Sequence, residues 1–449
     1  MRAISVARFG GPEVLFPVEA PDPVAGPGEL VVGVGASDVM FVDTMIRSGR
    51  GAGFFPIRPP YVPGSGVGGK VISVGDGVDD GWLGRPVIAH IGGSGGGYAE
   101  RAVVSLAETV AVPDGLDPLL AAAIIHDGPT ALRVTRLVDV RPGEPVLVLG
   151  AAGGMGILLV QLLRARGARV IGAARGPAKT AAVGAAGAEV VIDYGQPGWT
   201  SLVTDATGGR GPAVVLDGVG GQLGHDAYEV MADGGRFSAH GAPGGGFAAI
   251  DPADAGSRKI TVTGLGDLQV GPGERADDSR QLLPDLLSGA VQPLVGQTLP
   301  LTEAARAHAL MEARQAVAKT LLLTSVLFSL LGRQLARVRG DAEVSGRGRD
   351  LPGELDVARA QPADVVRHQS DDDARVPQVN VGMVIGRVGQ LADRVDQPDP
   401  GPERPGREVS AGDAGRNPPV ADAVGFEELL GTDQFSHARK PTRQRRPGT

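Results

Sequence analysis

Apolar positions along the 449-residue chain fall into three textures. Up to about residue 122 they come in short runs broken by Gly and Pro, at 29–34 (ELVVGV), 69–74 (GKVISV), 85–89 (RPVIA) and 98–104. Runs of that length and spacing predict a compact antiparallel barrel or sandwich. From about 123 to 266, apolar strands at 146–149, 169–172, 190–192, 213–216, 236–239 and 260–262 alternate with helical stretches. The first stretch, 157–166 (ILLVQLLRAR), is apolar on most sides, as a helix pressed on a sheet is. This alternation predicts an α/β unit with a parallel, doubly wound sheet. From about 267 to 326 short strands return, with a helix at 301–314 and a strand at 319–323.

Beyond residue 326 the period disappears. In 327–449 the only aromatics are Phe328, Phe426 and Phe435, and acidic and basic residues are scattered in near balance among Pro and Gly. Such a polyampholyte buries too little apolar surface to offset the entropy of ordering it, so a mostly disordered C-terminal extension is expected.

Charge and composition narrow the function. A formal charge of −8 with no basic face argues against nucleic acid as a partner. The absence of Cys excludes disulfides, thiolate zinc sites, iron–sulfur clusters and cysteine nucleophiles. The first ten residues (MRAISVARFG) hold no long apolar run, and 321–331 is too short to span a bilayer. A soluble, cytoplasmic protein with no membrane partner is expected.

With 71 Gly in the chain, a bare glycine pattern arises by chance, so context must decide. Gly150-Ala151-Ala152-Gly153-Gly154-Met155-Gly156 has that context: it follows the apolar strand 146–149, opens an apolar helix, and meets a second strand about 20 residues later. Glycines there permit a tight turn and let backbone N–H groups approach a pyrophosphate at the positive helix terminus. A site for the NAD ribose places Asp or Glu near the end of the second strand. None occurs between Ile157 and Ala188; Arg175 and Lys179 stand there instead and suit the 2′-phosphate of NADP(H).

Several stretches add to this loop in order: Pro63-Gly64-Ser65-Gly66-Val67-Gly68-Gly69-Lys70-Val71, Gly96-Gly97-Tyr98-Ala99-Glu100, Gly128-Pro129-Thr130-Ala131, Asp193-Tyr194, Asp217-Gly218-Val219-Gly220-Gly221, Gly234-Gly235-Arg236 and Ala318-Lys319-Thr320. On them, residues 1 to about 325 resemble the medium-chain dehydrogenase/reductase superfamily and its zinc-free quinone oxidoreductase branch. The resemblance implies a GroES-like barrel (1–122 and 267–326) beside a Rossmann domain (123–266), substrate in the cleft between them, and a homodimer. It also implies that Gly150, Gly153, Gly154, Met155 and Gly156 cradle the pyrophosphate, while Lys179 and Tyr194 contact the 2′-phosphate. Ala239, His240 and Gly241 would line the nicotinamide side, His240 replacing the usual apolar residue. Thr130 would lie near the nicotinamide ribose, with Leu265 and Gly266 on the far wall.

Zinc-bearing relatives supply Cys, His and Glu or Cys to a catalytic metal. Here Met40, Ser65 and Gly66 stand at those positions, and only His126 falls near the last, so no metal is expected. Hydride delivery without a Lewis acid suits quinones and α,β-unsaturated carbonyls, with NADPH as the cofactor. The oxyanion that develops needs a donor, and His126, Thr130, backbone N–H groups of the cleft and bound water are the candidates, Asp127 standing beside His126 in sequence. Relatives carry Asn-Pro-x-Asp where this chain has Met40-Phe41-Val42-Asp43, and an aromatic at Met45. With Phe54, Phe55 and Tyr61, these residues predict an apolar acceptor pocket. A non-catalytic NADPH-binding sensor or scaffold is the alternative, because polar groups of the branch are missing from that pocket.

Overall fold

The chain opens with an antiparallel hairpin, β1 (Arg2–Val6) against β2 (Leu15–Glu19). Then come β3 (Glu29–Val39), helix α1 (Phe41–Ser48), β4 (Gly66–Val74), β5 (Pro86–His90), β6 (Arg101–Ser105) and β7 (Thr109–Ala111). β3 pairs antiparallel with both β4 and β6, and β5 with both β4 and β7. Leu30, Val32, Val34, Val67, Val71, Val87 and Val104 fill the interior of this barrel. The computed structural model describes residues 1–51, 55–92 and 95–324, all within one compact unit, Met1–Ser329. The extension expected at 327–449 and Phe54 lie outside the described residues.

Helices α2 (Pro118–Ala123) and α3 (Asp127–Leu137) lead to a second sheet. Its strands are β8 (Pro145–Leu149), β9 (Arg169–Ala174), β10 (Val190–Asp193), β11 (Val214–Asp217), β12 (Arg236–Ala239) and β13 (Thr261–Gly264). All pairs are parallel, in the order β10-β9-β8-β11-β12-β13. The crossovers are helices α4 (Gly154–Ala165), α5 (Pro177–Ala185), α6 (Trp199–Ala206), α7 (Gly221–Glu229) and α8 (Pro252–Ser257). This is the Rossmann arrangement, with its topological switch point between β8 and β11. Val146, Leu147, Val148 and Leu149 are all buried, as an unbroken apolar run in a sheet covered on both faces must be.

After β13 come α9 (Glu274–Ser288), β14 (Val295–Pro300), α10 (Ala304–Glu312) and β15 (Lys319–Leu323). β15 returns to the barrel and pairs antiparallel with β3, and β14 pairs parallel with β15. Helix α9 and strand β3 are among the elements that differ from the sequence expectation. Helix α9 is absent from it: Pro284 sits in the helix interior, which argues against helix locally. The helix forms because Leu282, Leu283 and Leu286 are buried and Asp278 receives Arg133 and Arg136 of α3. Strand β3 runs five residues past the expected 29–34 stretch, through the polar pair Ser37-Asp38, because β15 supplies a partner ladder that local pattern does not show. Among the described residues, no helix is long and apolar enough to cross a membrane.

Candidate active site

The glycine loop sits at the switch point, between the ends of β8 and β11. Gly150, with φ of +70°, turns the chain off β8, and its carbonyl accepts the Gly153 N–H at 2.9 Å. A Cβ at Gly156 would stand 2.4 Å from the Gly150 oxygen and 2.7 Å from Ala151 Cα, so any larger residue pries the loop open. Gly153 is exposed and Gly154 and Met155 half-buried at the start of α4, leaving backbone N–H groups of the first turn accessible to an anion. The barrel touches this loop directly: the Ala318 N–H donates to Ala152 O at 2.7 Å.

Beyond β9, cations gather around an aromatic ring. Arg175 lies over Tyr194, 5.8 Å from the ring centre. Lys179 Nζ donates to Arg314 O at 2.7 Å, and Arg314 in turn reaches the Pro243 carbonyl and stacks 4.9 Å from the ring centre of Phe41. Burial, then Arg314 and Arg175, lowers the Lys179 pKa. Asp193, the nearby carboxylate, accepts N–H groups of Gly176 and Gly195 instead. Repulsion among three crowded cations is what a doubly charged phosphate relieves. The loop and these cations therefore fit NADPH: Gly153 to Gly156 for the pyrophosphate, and Arg175, Lys179 and Tyr194 for the 2′-phosphate. Arg314 is absent from the sequence expectation, because it lies 129 residues beyond the end of α5 with no local motif to flag it.

On the barrel side of the glycine loop a buried polar chain ties β3 and β15 to the start of α3. Asp38, fully buried on β3, takes His126 Nδ1 at 2.8 Å and Lys319 Nζ at 2.9 Å on the same oxygen. Lys319, itself buried on β15, also reaches Asp127 at 3.1 Å. Burial opposes the Asp38 charge, but His126 and Lys319 outweigh it and hold its carboxyl far below the ordinary range. Burial likewise opposes the Lys319 charge, and Asp127 and Asp38 raise its pKa above the ordinary value. His126 and Asp127, neighbours in sequence, diverge at the start of α3, Asp127 to Lys319 and His126 to Asp38. Ser65 Oγ meets the second ring nitrogen, His126 Nε2, at 3.3 Å. His90 meets the His126 ring edge-on at 4.6 Å between centres, and burial pushes the His90 pKa down to about 3.

The remaining expected residues divide by what they touch. Thr130, one turn along α3 from His126, donates its hydroxyl to the His126 carbonyl at 2.8 Å. Asp43 is buried at the start of α1, where it accepts the Met40 N–H at 2.8 Å and the Tyr98 hydroxyl at 3.3 Å. Burial first, then the neighbouring Asp38, pushes its pKa up to about 6. Met45 is half-buried on α1, whereas Tyr61 bridges to Val6 and packs with the Ile4–Tyr98 cluster of the barrel. Ala239 ends β12, His240 and Gly241 donate backbone N–H groups to Asp217 O, and Leu265 begins the turn after β13. Burial lowers the His240 pKa to about 4, so that ring is neutral near pH 7.

Comparison with known proteins gives this geometry a family. The family model for the alcohol dehydrogenase GroES-like domain matches residues 26–114, and that for zinc-binding dehydrogenase matches 154–271. The rat quinone oxidoreductase is 32% identical over 312 residues, covering 69% of this chain and 93% of the relative. A 2-haloacrylate reductase of Burkholderia is 30% identical over 72% of this chain and 98% of its own length. The Escherichia coli quinone oxidoreductase complexed with NADPH superposes with a TM-score of 0.67 at 28% identity, covering 72% of this chain and all of that one.

The chain belongs to the quinone oxidoreductase branch of the medium-chain dehydrogenase/reductase superfamily. The residues that the resemblance sets at the ligand positions of zinc-bearing members are Met40, Ser65 and Gly66, with His126 near the last. Gly66 is held to glycine by its neighbours, since a Cβ there would lie 2.4 Å from Asp38 Oδ1 and 2.8 Å from His126 Cε1. Among the described residues, no group of three or more His, Cys, Asp and Glu side chains is placed to hold a metal ion.

Proposed function

We propose that this protein reduces quinones or α,β-unsaturated carbonyls in the cleft between its lobes, without zinc. It is an NADPH-dependent oxidoreductase by family. When bound, NADPH supplies the hydride. Gly153 to Gly156 hold its pyrophosphate on the α4 terminus, and Arg175, Lys179 and Tyr194 hold its 2′-phosphate. Ala239, His240, Gly241, Leu265 and Thr130 line the nicotinamide end. Met40, Asp43, Met45 and Tyr61 form the acceptor side, and His126 supplies or conducts the proton. The observation that carries this reading is the polar chain Ser65–His126–Asp38–Lys319, which puts a titratable ring where zinc-bearing relatives place metal ligands. The groups there, a thioether, a hydroxyl, a single imidazole and a glycine with no side chain, are a poor donor set for zinc.

The same proposal assigns residues 1–122 and 267–326 to the acceptor-binding lobe and 123–266 to the cofactor lobe, and makes the protein a cytoplasmic homodimer, as the branch resemblance implies. The test pairs calorimetric titration of NADPH and NADH with NADPH oxidation against a panel of quinones and enones. Tighter binding of NADPH by at least tenfold and turnover of apolar acceptors is the expected result. Binding without turnover of any acceptor favours a sensor or scaffold, and stoichiometric zinc in active protein overturns the metal-free reading.

A further inference from the structure

We propose that Ser65 is the immediate proton donor to the reduced acceptor, recharged by His126, with Asp38 fixing the ring. This rests on the reductase reading and adds a residue and a direction of proton flow to it. Asp38 is an acceptor only when ionised, so His126 Nδ1 carries a hydrogen and points it at Oδ2. In the neutral ring Nε2 is then bare and accepts from the Ser65 hydroxyl. In the charged ring Nε2 donates to Ser65 Oγ, which frees the serine hydrogen to point into the cleft. Lys319 on the same Asp38 oxygen keeps the carboxylate ionised, so it orients the ring and does not take its proton.

Position supports the assignment. Ser65 is half-buried immediately before β4, and the glycine after it is what allows Asp38 and His126 to close in. Thr130, the other hydroxyl near the ring, is committed to the His126 carbonyl. Of the charged and titratable groups around His126, Asp38 of β3 and His90 of β5 meet the ring, Lys319 of β15 shares Asp38 with it, and Asp127 of α3 turns to Lys319, with Asp43 of α1 and Arg275 of α9 farther out.

The step balances without another reagent. Once hydride reaches the acceptor carbon, the extra electron pair rests on the acceptor oxygen. The Ser65 O–H bond breaks and its proton passes to that oxygen. The His126 Nε2–H bond breaks to restore the hydroxyl, leaving a neutral ring, which takes its next proton from water through the 11% of its side chain that is exposed.

The test uses the full chain. Nitrogen-15 NMR of the histidines, assigned with His126→Gln, is expected to show the neutral His126 ring as the Nδ1–H form. Ser65→Ala should move the Nε2 resonance without changing the tautomer. With an enone at saturation, Ser65→Ala and His126→Gln are expected to lower kcat about 10- to 100-fold while NADPH affinity stays within twofold. Ser65→Thr should recover most of the rate, and the alkaline fall in kcat of the parent should vanish in His126→Gln. An Nε2–H tautomer, or a Ser65→Ala kcat within twofold of the parent, overturns the relay and leaves the reductase reading intact. A parent protein that binds NADPH but reduces nothing overturns both.

Discussion

The glycine loop and the buried polar chain are built from different materials. At the dinucleotide end, backbone does the holding: a left-handed Gly150, a first helical turn with accessible N–H groups, and a Gly156 that nothing larger can replace. In the polar chain, buried side-chain charge does it, through Asp38, Lys319, Asp127 and His126 drawn from β3, β15 and the start of α3. A backbone cradle can be specified by seven consecutive residues, whereas a buried ion cluster needs the whole fold to enclose it.

The largest effect is expected where charge is buried. Lys319→Met strands Asp38 and Asp127 together and should cost about 3–5 kcal/mol, read as a lower urea midpoint. Asp217 tests whether the backbone end also carries a charge penalty. Its carboxylate accepts the N–H groups of Val219 and Gly220 through one oxygen, and burial pushes its pKa up to about 6. Between the ordinary carboxylate range and pH 6 the folded state binds more protons than the unfolded state. Raising pH through that window therefore lowers stability, by up to about 3 kcal/mol for this group. Asp43 adds in the same sense. Asp217→Asn should flatten the dependence of the urea midpoint between pH 4 and 6, and an unchanged slope would count against the assignment. Gly156→Val should cost about 1–3 kcal/mol by overpacking and weaken NADPH binding at least tenfold by calorimetry. Least affected should be Tyr98→Phe, which removes a hydroxyl shared between Asp43 and His308 and should lower stability by about 1 kcal/mol.

What sequence could and could not reveal follows the same division. The run VLVLGAAGGMG carries its own evidence, because strand, turn and helix are adjacent and each has a local period. The shift from 2′-hydroxyl to 2′-phosphate recognition is also readable, in the absence of acid after Ile157 and the presence of Arg175 and Lys179. Asp38 escaped because it interrupts an apolar strand and reads as the strand's end; only β15, some 280 residues later, makes it interior. Arg314 escaped for the same reason of distance. The partner of His126 is not legible either, because Asp127 is adjacent in sequence while Asp38 is adjacent in space.

The bond from Ala318 to Ala152 has a consequence for how the molecule is born. A ribosome releases the glycine loop long before the segment that buttresses it. At about 5–20 residues per second, the intervening stretch takes roughly 10–30 s to synthesise. Throughout that interval Asp38 and Asp127 await their shared ammonium, so the nascent polypeptide passes through a stage with every Rossmann strand made and its nucleotide seat unbraced.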